Sequence, residues 1–251
     1  MMMATASREF APLRQEPAYR RVAAEIGARV TARELAAGEP LPTELELAGQ
    51  FAVTRSTVRE ALRELESAGL IERGRGTKRM VVAKPSPAGM AARVSQSLAL
   101  QEVTVREVWE ALTVLGPASA ALAAQQRSAL DLRRLATAAQ AFAGATSTGA
   151  ALAAVGAFFD ALEGATGNRA LVAAQRPLLP LLEHSLRLLI DRVPQARARI
   201  VLAQRRIHEA LQRRDRAAAQ EWMAKHVRDL RRGFEVAGIT LDTRVELPPA
   251  S

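Results

Sequence analysis

Two sets of side chains in this sequence have chemistry to offer beyond packing. The first is a run of hydroxyl and guanidinium groups, Thr54, Arg55, Ser56, Thr57 and Arg59, followed by the basic, glycine-containing stretch Arg73, Gly74, Arg75, Gly76 and Lys78. Guanidinium and ammonium groups neutralise phosphates, and polar groups at the start of a helix can reach base edges, so this set has the chemistry of nucleic-acid readout. The second set is sparse: Asp160, His208 and His226 could act as general acid, general base or metal ligand. No Ser-His-Asp grouping, phosphate loop or metal motif surrounds them. There is no cysteine, which excludes disulfides, thiolate zinc sites and cysteine nucleophiles together.

The first set sits on recognisable elements. Thr54 is a good N-cap, because its side-chain oxygen can accept from free backbone N–H groups of a first turn. From Arg55 to Ala68 the apolar residues Val58, Ala61, Leu62 and Leu65 recur at helical spacing. That stripe faces a core and leaves Arg55, Ser56, Thr57, Arg59 and Arg63 outside. Gly69 stops the helix, and Leu70-Ile71 and Met80-Val81-Val82 read as short strands around a Gly-containing turn. Upstream, Val22, Ile26, Val30 and Leu35 predict a first helix from Tyr19 to near Gly38. Glu39-Pro40-Leu41-Pro42 reads as a turn and a second helix follows from about Thr43 to Phe51. Arginines on one helix face are usually a solvated surface. Here the capped helix, the glycine stop and the basic hairpin occur in one block, and together they read as a winged helix-turn-helix.

The chain is long enough for two domains with separate cores. It has no apolar run of membrane-spanning length, and its N-terminus lacks the apolar core of a signal peptide. A soluble, cytoplasmic protein without a membrane partner is expected. The formal net charge is +9, which favours a polyanionic partner. Its distribution does not locate the site, since residues 1–83 carry 13 Lys+Arg against 11 Asp+Glu while residues 84–251 carry 22 against 15. Placement within the helix and hairpin does.

Residues 1–16 read as a disordered tail and 17–83 as the DNA-binding domain. Residues 84–89, with two prolines and a glycine, read as a linker. Residues 90–237 have an almost wholly helical character, with six or seven helices near 90–99, 102–125, 129–145, 149–164, 168–191, 194–213 and 215–236. Pro177 and Pro180 are expected to kink the fifth. Residues 238–251 read as a loose tail. The fold class is thus mainly α, a winged helix-turn-helix followed by an all-helical bundle.

The N-terminal block resembles the GntR family of transcriptional regulators over roughly residues 17–83. The resemblance rests on Leu41-Pro42-x-Glu44, Val53-Thr54-Arg55-x-x-Val58-Arg59-Glu60-Ala61-Leu62, Leu65, Gly69-Leu70 and Gly74-x-Gly76-Thr77. It implies that Arg55 and Arg59 carry base and phosphate contacts and that the wing glycines let the backbone approach the minor groove. Where family members usually have Arg after the Glu of the Pro-x-Glu element, this sequence has Leu45.

Most of residues 95–235 resemble the FCD effector-binding domain of FadR-type GntR regulators. Val108-x-Glu110-Ala111, Pro117 with Ala121-Leu122-Ala123-Ala124, Phe159 with Thr166-Gly167-Asn168, Ile207-x-x-Ala210-Leu211 with Asp215, and Met223-x-x-His226 carry it. Many such domains hold a divalent metal with an Asp and three His, and those positions map here to Gly156, Asp160, Gln204 and His226. With only the last retained, no cofactor is expected and a metal is disfavoured; Asp160, Gln204 and His226 remain weak candidates. His226 shares a helical stripe with Ala219, Met223 and Leu230, so it should face the interior. A buried carboxylate needs a partner, and Asp160 is expected to pair with His226. His208 lies one turn from Gln204 and could approach the same cavity, while His184 is peripheral. Leu112 stands where many members have the Arg that meets a carboxylate ligand, and Gly116 where they have Glu; with Leu112 near Trp109, a more apolar effector, or none, is expected in place of a small metal-chelated organic acid. The pocket residues are then Trp109, Leu112, Gly156, Asp160, Gln204, His208 and His226.

These resemblances imply a homodimeric repressor that binds a palindromic double-stranded operator under control of a small-molecule effector. An effector-independent repressor with a degenerate pocket is the alternative, and a helical metal-dependent enzyme the third reading.

Overall fold

The computed structural model describes residues 16–247 apart from Arg75, Thr77, Lys78 and Pro85. It separates into two compact units, residues 1–85 and 86–251. The tail expected over 1–16 lies outside the described residues except for Glu16.

The first unit runs α1 (Ala18–Thr31), α2 (Glu44–Phe51), α3 (Arg55–Ser67), β1 (Ile71–Arg73) and β2 (Met80–Val82). Thr43 and Glu46 form a reciprocal capping box at the start of α2, and Thr54 caps α3 by accepting from the Thr57 N–H at 3.3 Å. Val22 and Ile26 of α1, Leu47 of α2 and Val58, Ala61, Leu62 and Leu65 of α3 close one core over Ile71 and Val82. The turn between α2 and α3 requires Ala52 in the left-handed region, at φ 52°. Gly69 takes φ 73° just beyond α3, a conformation glycine adopts without steric cost. β1 and β2 pair antiparallel with Glu72 opposite Val81. Of residues 39–42, expected as a turn, 39–41 instead run along β2: Leu41 donates to the Met80 carbonyl and Val82 to the Glu39 carbonyl. Leu41 is 2% exposed, and its burial beneath the hairpin is what draws the segment in.

The second unit has nine helices among the described residues: α4 (Pro87–Leu100), α5 (Val105–Gln126), α6 (Ala129–Ala143), α7 (Thr148–Gly164), α8 (Arg169–Gln175), α9 (Leu178–Leu181), α10 (Glu183–Arg192), α11 (Ala196–Gln212) and α12 (Arg216–Val236). The expected six or seven become nine because the helix expected at 168–191 is three. Pro177 and Pro180 lack the N–H that a continuous helix needs, so the chain breaks there instead of kinking. The expected linker 84–89 is also shorter. Proline suits the first turn of a helix, and α4 already starts at Pro87 with the Ser86 hydroxyl accepting from Gly89.

α5 and α12 lie along each other, with α11 beside α12 and α6 beside α7. Phe142, Phe158 and Phe234 fill the centre with Leu135, Ile207 and Met223. A Cβ on Gly116 would stand 3.4 Å from Met223 Cγ, so the glycine lets α5 and α12 close up where the family's Glu would not fit. Residues 238–247 are not a loose tail. Ile239, Leu241 and Val245 are buried, and the Thr243 and Leu241 carbonyls accept from Val105 and Arg106 at the start of α5. Those are N–H groups a helix start leaves free, so the returning chain satisfies them.

Candidate nucleic-acid interface and ligand cavity

α3 presents its first turn to solvent. Arg55, Ser56 and Arg59 are exposed and Thr57 is half-buried, while the Thr54 hydroxyl is shared with those of Ser56 at 2.8 Å and Thr57 at 2.9 Å. Arg59 reaches across to α2, donating through Nη2 to Glu44 Oε2 at 2.9 Å and through Nε to Oε1 at 3.4 Å. That hydrogen bond holds the Glu44 carboxyl below its ordinary range, with Arg55 and Arg63 adding to the effect. Leu45, one residue on, is 63% exposed on α2. In the hairpin Arg73 and Arg79 are exposed, the Gly74 N–H donates to the Arg79 carbonyl, and Gly76 turns the chain at φ 74°. Arg75 and Lys78, expected to contact DNA, lie outside the described residues.

The second unit contains a cavity of about 930 Å³ between α4, α7 and the α9–α10 segment. Gly156 and Asp160 line it, as the sequence suggests for a pocket, but Trp109, Leu112, Gln204, His208 and His226 do not. Leu112 is buried in the core, and Trp109 donates its indole N–H to the Val227 carbonyl under the guanidinium of Arg231. His208 hydrogen-bonds the Leu132 carbonyl at 3.1 Å and so is turned toward α6. Gln204 is buried with neither amide atom partnered.

The expected pairing of Asp160 with His226 is replaced by two separate arrangements. Asp160 is exposed and accepts from Arg176 Nε at 3.0 Å. His226 is buried and stacks on Phe159, ring centroids 5.9 Å apart with 19° between planes. Burial pushes its imidazole down to about 4, only weakly opposed by Asp229, so the ring is neutral at neutral pH. It borders a smaller cavity of about 180 Å³ with Asp229.

The polar group that sequence reasoning missed is Glu163. It is 3% exposed, lines the large cavity, and has no hydrogen-bond partner for Oε2. Burial, reinforced by Asp160 and opposed by Arg176, raises its carboxyl to about 8. A signal was present: Glu163 follows Gly156 and Asp160 by seven and three residues, on the same face of α7.

Comparison with known proteins bears on both units. Residues 18–79 match the profile of the bacterial regulatory proteins of the gntR family, and residues 107–229 match that of the FCD domain. The chain belongs to the GntR family. The similarity of the GntR head extends to the transcriptional repressor NanR of Cronobacter sakazakii, 41% identical over 75 residues, 30% of this chain and 28% of that protein. It extends also to the repressor PhnF of Mycolicibacterium smegmatis, 45% identical over 84 residues, 30% of this chain and 32% of that one. The chain thus spans about a third or less of these curated relatives. A solved structure, the Streptococcus agalactiae GntR, shares the fold with a TM-score of 0.59 at 24% identity, covering 85% of this chain and 99% of that one.

The metal that the FCD resemblance implies does not fit these residues. Gly156 offers no ligand, Asp160 is held by Arg176, and neither Gln204 nor His226 lines the cavity that Asp160 borders. Among the described residues, no three His, Cys, Asp or Glu side chains are grouped to hold a metal ion. No helix among them is long and apolar enough to cross a membrane.

Proposed function

We propose that this protein is a cytoplasmic, sequence-specific transcriptional repressor that binds a palindromic operator as a homodimer and is released or retained by a small organic effector. The observation that carries the DNA reading is the capped, exposed N-terminal turn of α3, with Arg55, Ser56 and Arg59 arranged to enter a major groove. Family membership supports a regulator and not an enzyme. Two-fold symmetry would repeat the reading helix on two half-sites. Effector control is favoured over a degenerate pocket by the cavity of about 930 Å³, within the usual range for small-molecule sites. The test is fluorescence anisotropy with the DNA upstream of the protein's own gene across a salt series, against a scrambled duplex. Tight binding to that duplex and weak, steeply salt-dependent binding to the scrambled one support the reading; equal binding to both refutes it.

A further inference from the structure

Resting on the effector reading, we propose that the large cavity of the second unit takes an amphipathic amine, an apolar chain or ring system ending in an ammonium group that pairs with Glu163. Apolar walls from Leu152, Val155, Phe159, Leu179 and Leu186 suit the apolar body. The described lining residues include five charged side chains, Asp160, Glu163, Arg176, Glu183 and Arg187. Four of them answer one another: Arg176 donates to Asp160 at 3.0 Å and Arg187 to Glu183 at 3.3 Å. Glu163 alone is left, buried to 3% exposure with Oε2 unpartnered.

The charge balance selects the sign of the ligand. Three carboxyl groups face two guanidinium groups, and each guanidinium already has a carboxylate partner, so an anionic ligand finds no unpaired cation while an ammonium finds an unpaired carboxyl. An ammonium supplies the partner that a buried carboxylate requires, and its own charge is neutralised by the same contact. Glu163 holds its proton near neutral pH because burial raises its carboxyl to about 8. Pairing with an ammonium therefore expels one proton to solvent, with Asp160, Arg176, Glu183 and Arg187 remaining in their existing ion pairs.

The experiment uses the full chain and three matched probes, octylamine, octanol and octanoate, in isothermal titration calorimetry in two buffers of different ionisation enthalpy. Octylamine is expected to bind at least ten-fold more tightly than octanol, with proton release, and octanoate more weakly than either. Glu163→Gln should abolish the preference for amine over alcohol and the proton release while keeping octanol binding. Should that variant not fold, Gly156→Leu leaves Glu163 in place and fills open space in the cavity wall, and it should remove octylamine binding. A preference for octanoate or octanol, no binding of any probe, or an amine preference that survives Glu163→Gln or Gly156→Leu overturns the proposal. Operator affinity is measured in parallel. Octylamine that binds at Glu163 but leaves operator affinity unchanged upholds the amine site and sinks the effector reading; a carboxylate probe that binds and shifts operator affinity does the reverse.

Discussion

The Arg59 guanidinium forks onto the Glu44 carboxylate, tying the reading helix α3 to the first turn of α2, with the shorter hydrogen bond at 2.9 Å. The pair is largely exposed to solvent, so it adds little to stability. Its consequence lies in orientation, because it holds one rotamer of a residue proposed to touch DNA. Arg59→Ala is expected to lower operator affinity at least a hundred-fold with the melting temperature nearly unchanged. Glu44→Ala is expected to lower it about ten-fold, equivalent to about 1.4 kcal/mol, by freeing the arginine. Anisotropy and thermal melts of both variants check this; an unaltered affinity in Arg59→Ala would remove the residue from the interface.

Leu45 stands exposed beside that pair, at a position where the family resemblance implies arginine. A guanidinium there would neutralise one more phosphate in each half-site. Leu45→Arg should therefore raise DNA affinity at low salt and steepen the slope of log K against log salt by about 0.9 for each phosphate newly neutralised. An unchanged slope would show that Leu45 does not face the backbone.

The two buried titratable groups of the second unit pull stability in opposite directions with pH. Glu163, raised from 4.5 to about 8, favours the folded state fully below pH 4.5, and this advantage is lost as pH rises to about 8. His226, lowered from 6.5 to about 4, favours it fully above pH 6.5 and loses that advantage as pH falls to about 4. Between pH 4.5 and 6.5 the two slopes cancel, and above that Glu163 acts alone. Denaturant unfolding should show a plateau near pH 5–6 and a loss of about 2 kcal/mol by pH 8, at about 1.4 kcal/mol per pH unit. Glu163→Gln should remove most of the alkaline loss; a wild-type curve that rises from pH 6.5 to 8 would contradict the assignment.

The returning segment 239–247 is expected to matter for stability as much as any helix end. Leu241 is 6% exposed and its backbone carbonyl accepts from Arg106 at 2.8 Å, while Asp242 receives the Arg106 side chain at 2.9 Å. Leu241→Ala should cost about 2 kcal/mol or more in unfolding free energy of the second unit. A loose segment would show no measurable loss.

Local signals made the reading head legible from residues alone. Thr54 as a cap, the stripe Val58, Ala61, Leu62 and Leu65, and the stop at Gly69 are each decided within one helix, so their spacing along the chain already states where they point. The C-terminal helices were legible for the same reason, apart from the breaks at Pro177 and Pro180, where the choice between kink and break depends on neighbouring packing. Partnership was not legible. Asp160 took Arg176, sixteen residues away, in place of His226, and His226 took the face of Phe159, because a buried side chain's partner depends on how helices cross. Glu163 became the unpaired acid of a cavity only when α4 and the α9–α10 segment were set against α7. Sequence periodicity by itself determined which faces of the reading head turn inward. Tertiary structure alone decided which buried polar groups meet, since burial and distance between separate helices set both the partner and the protonation state.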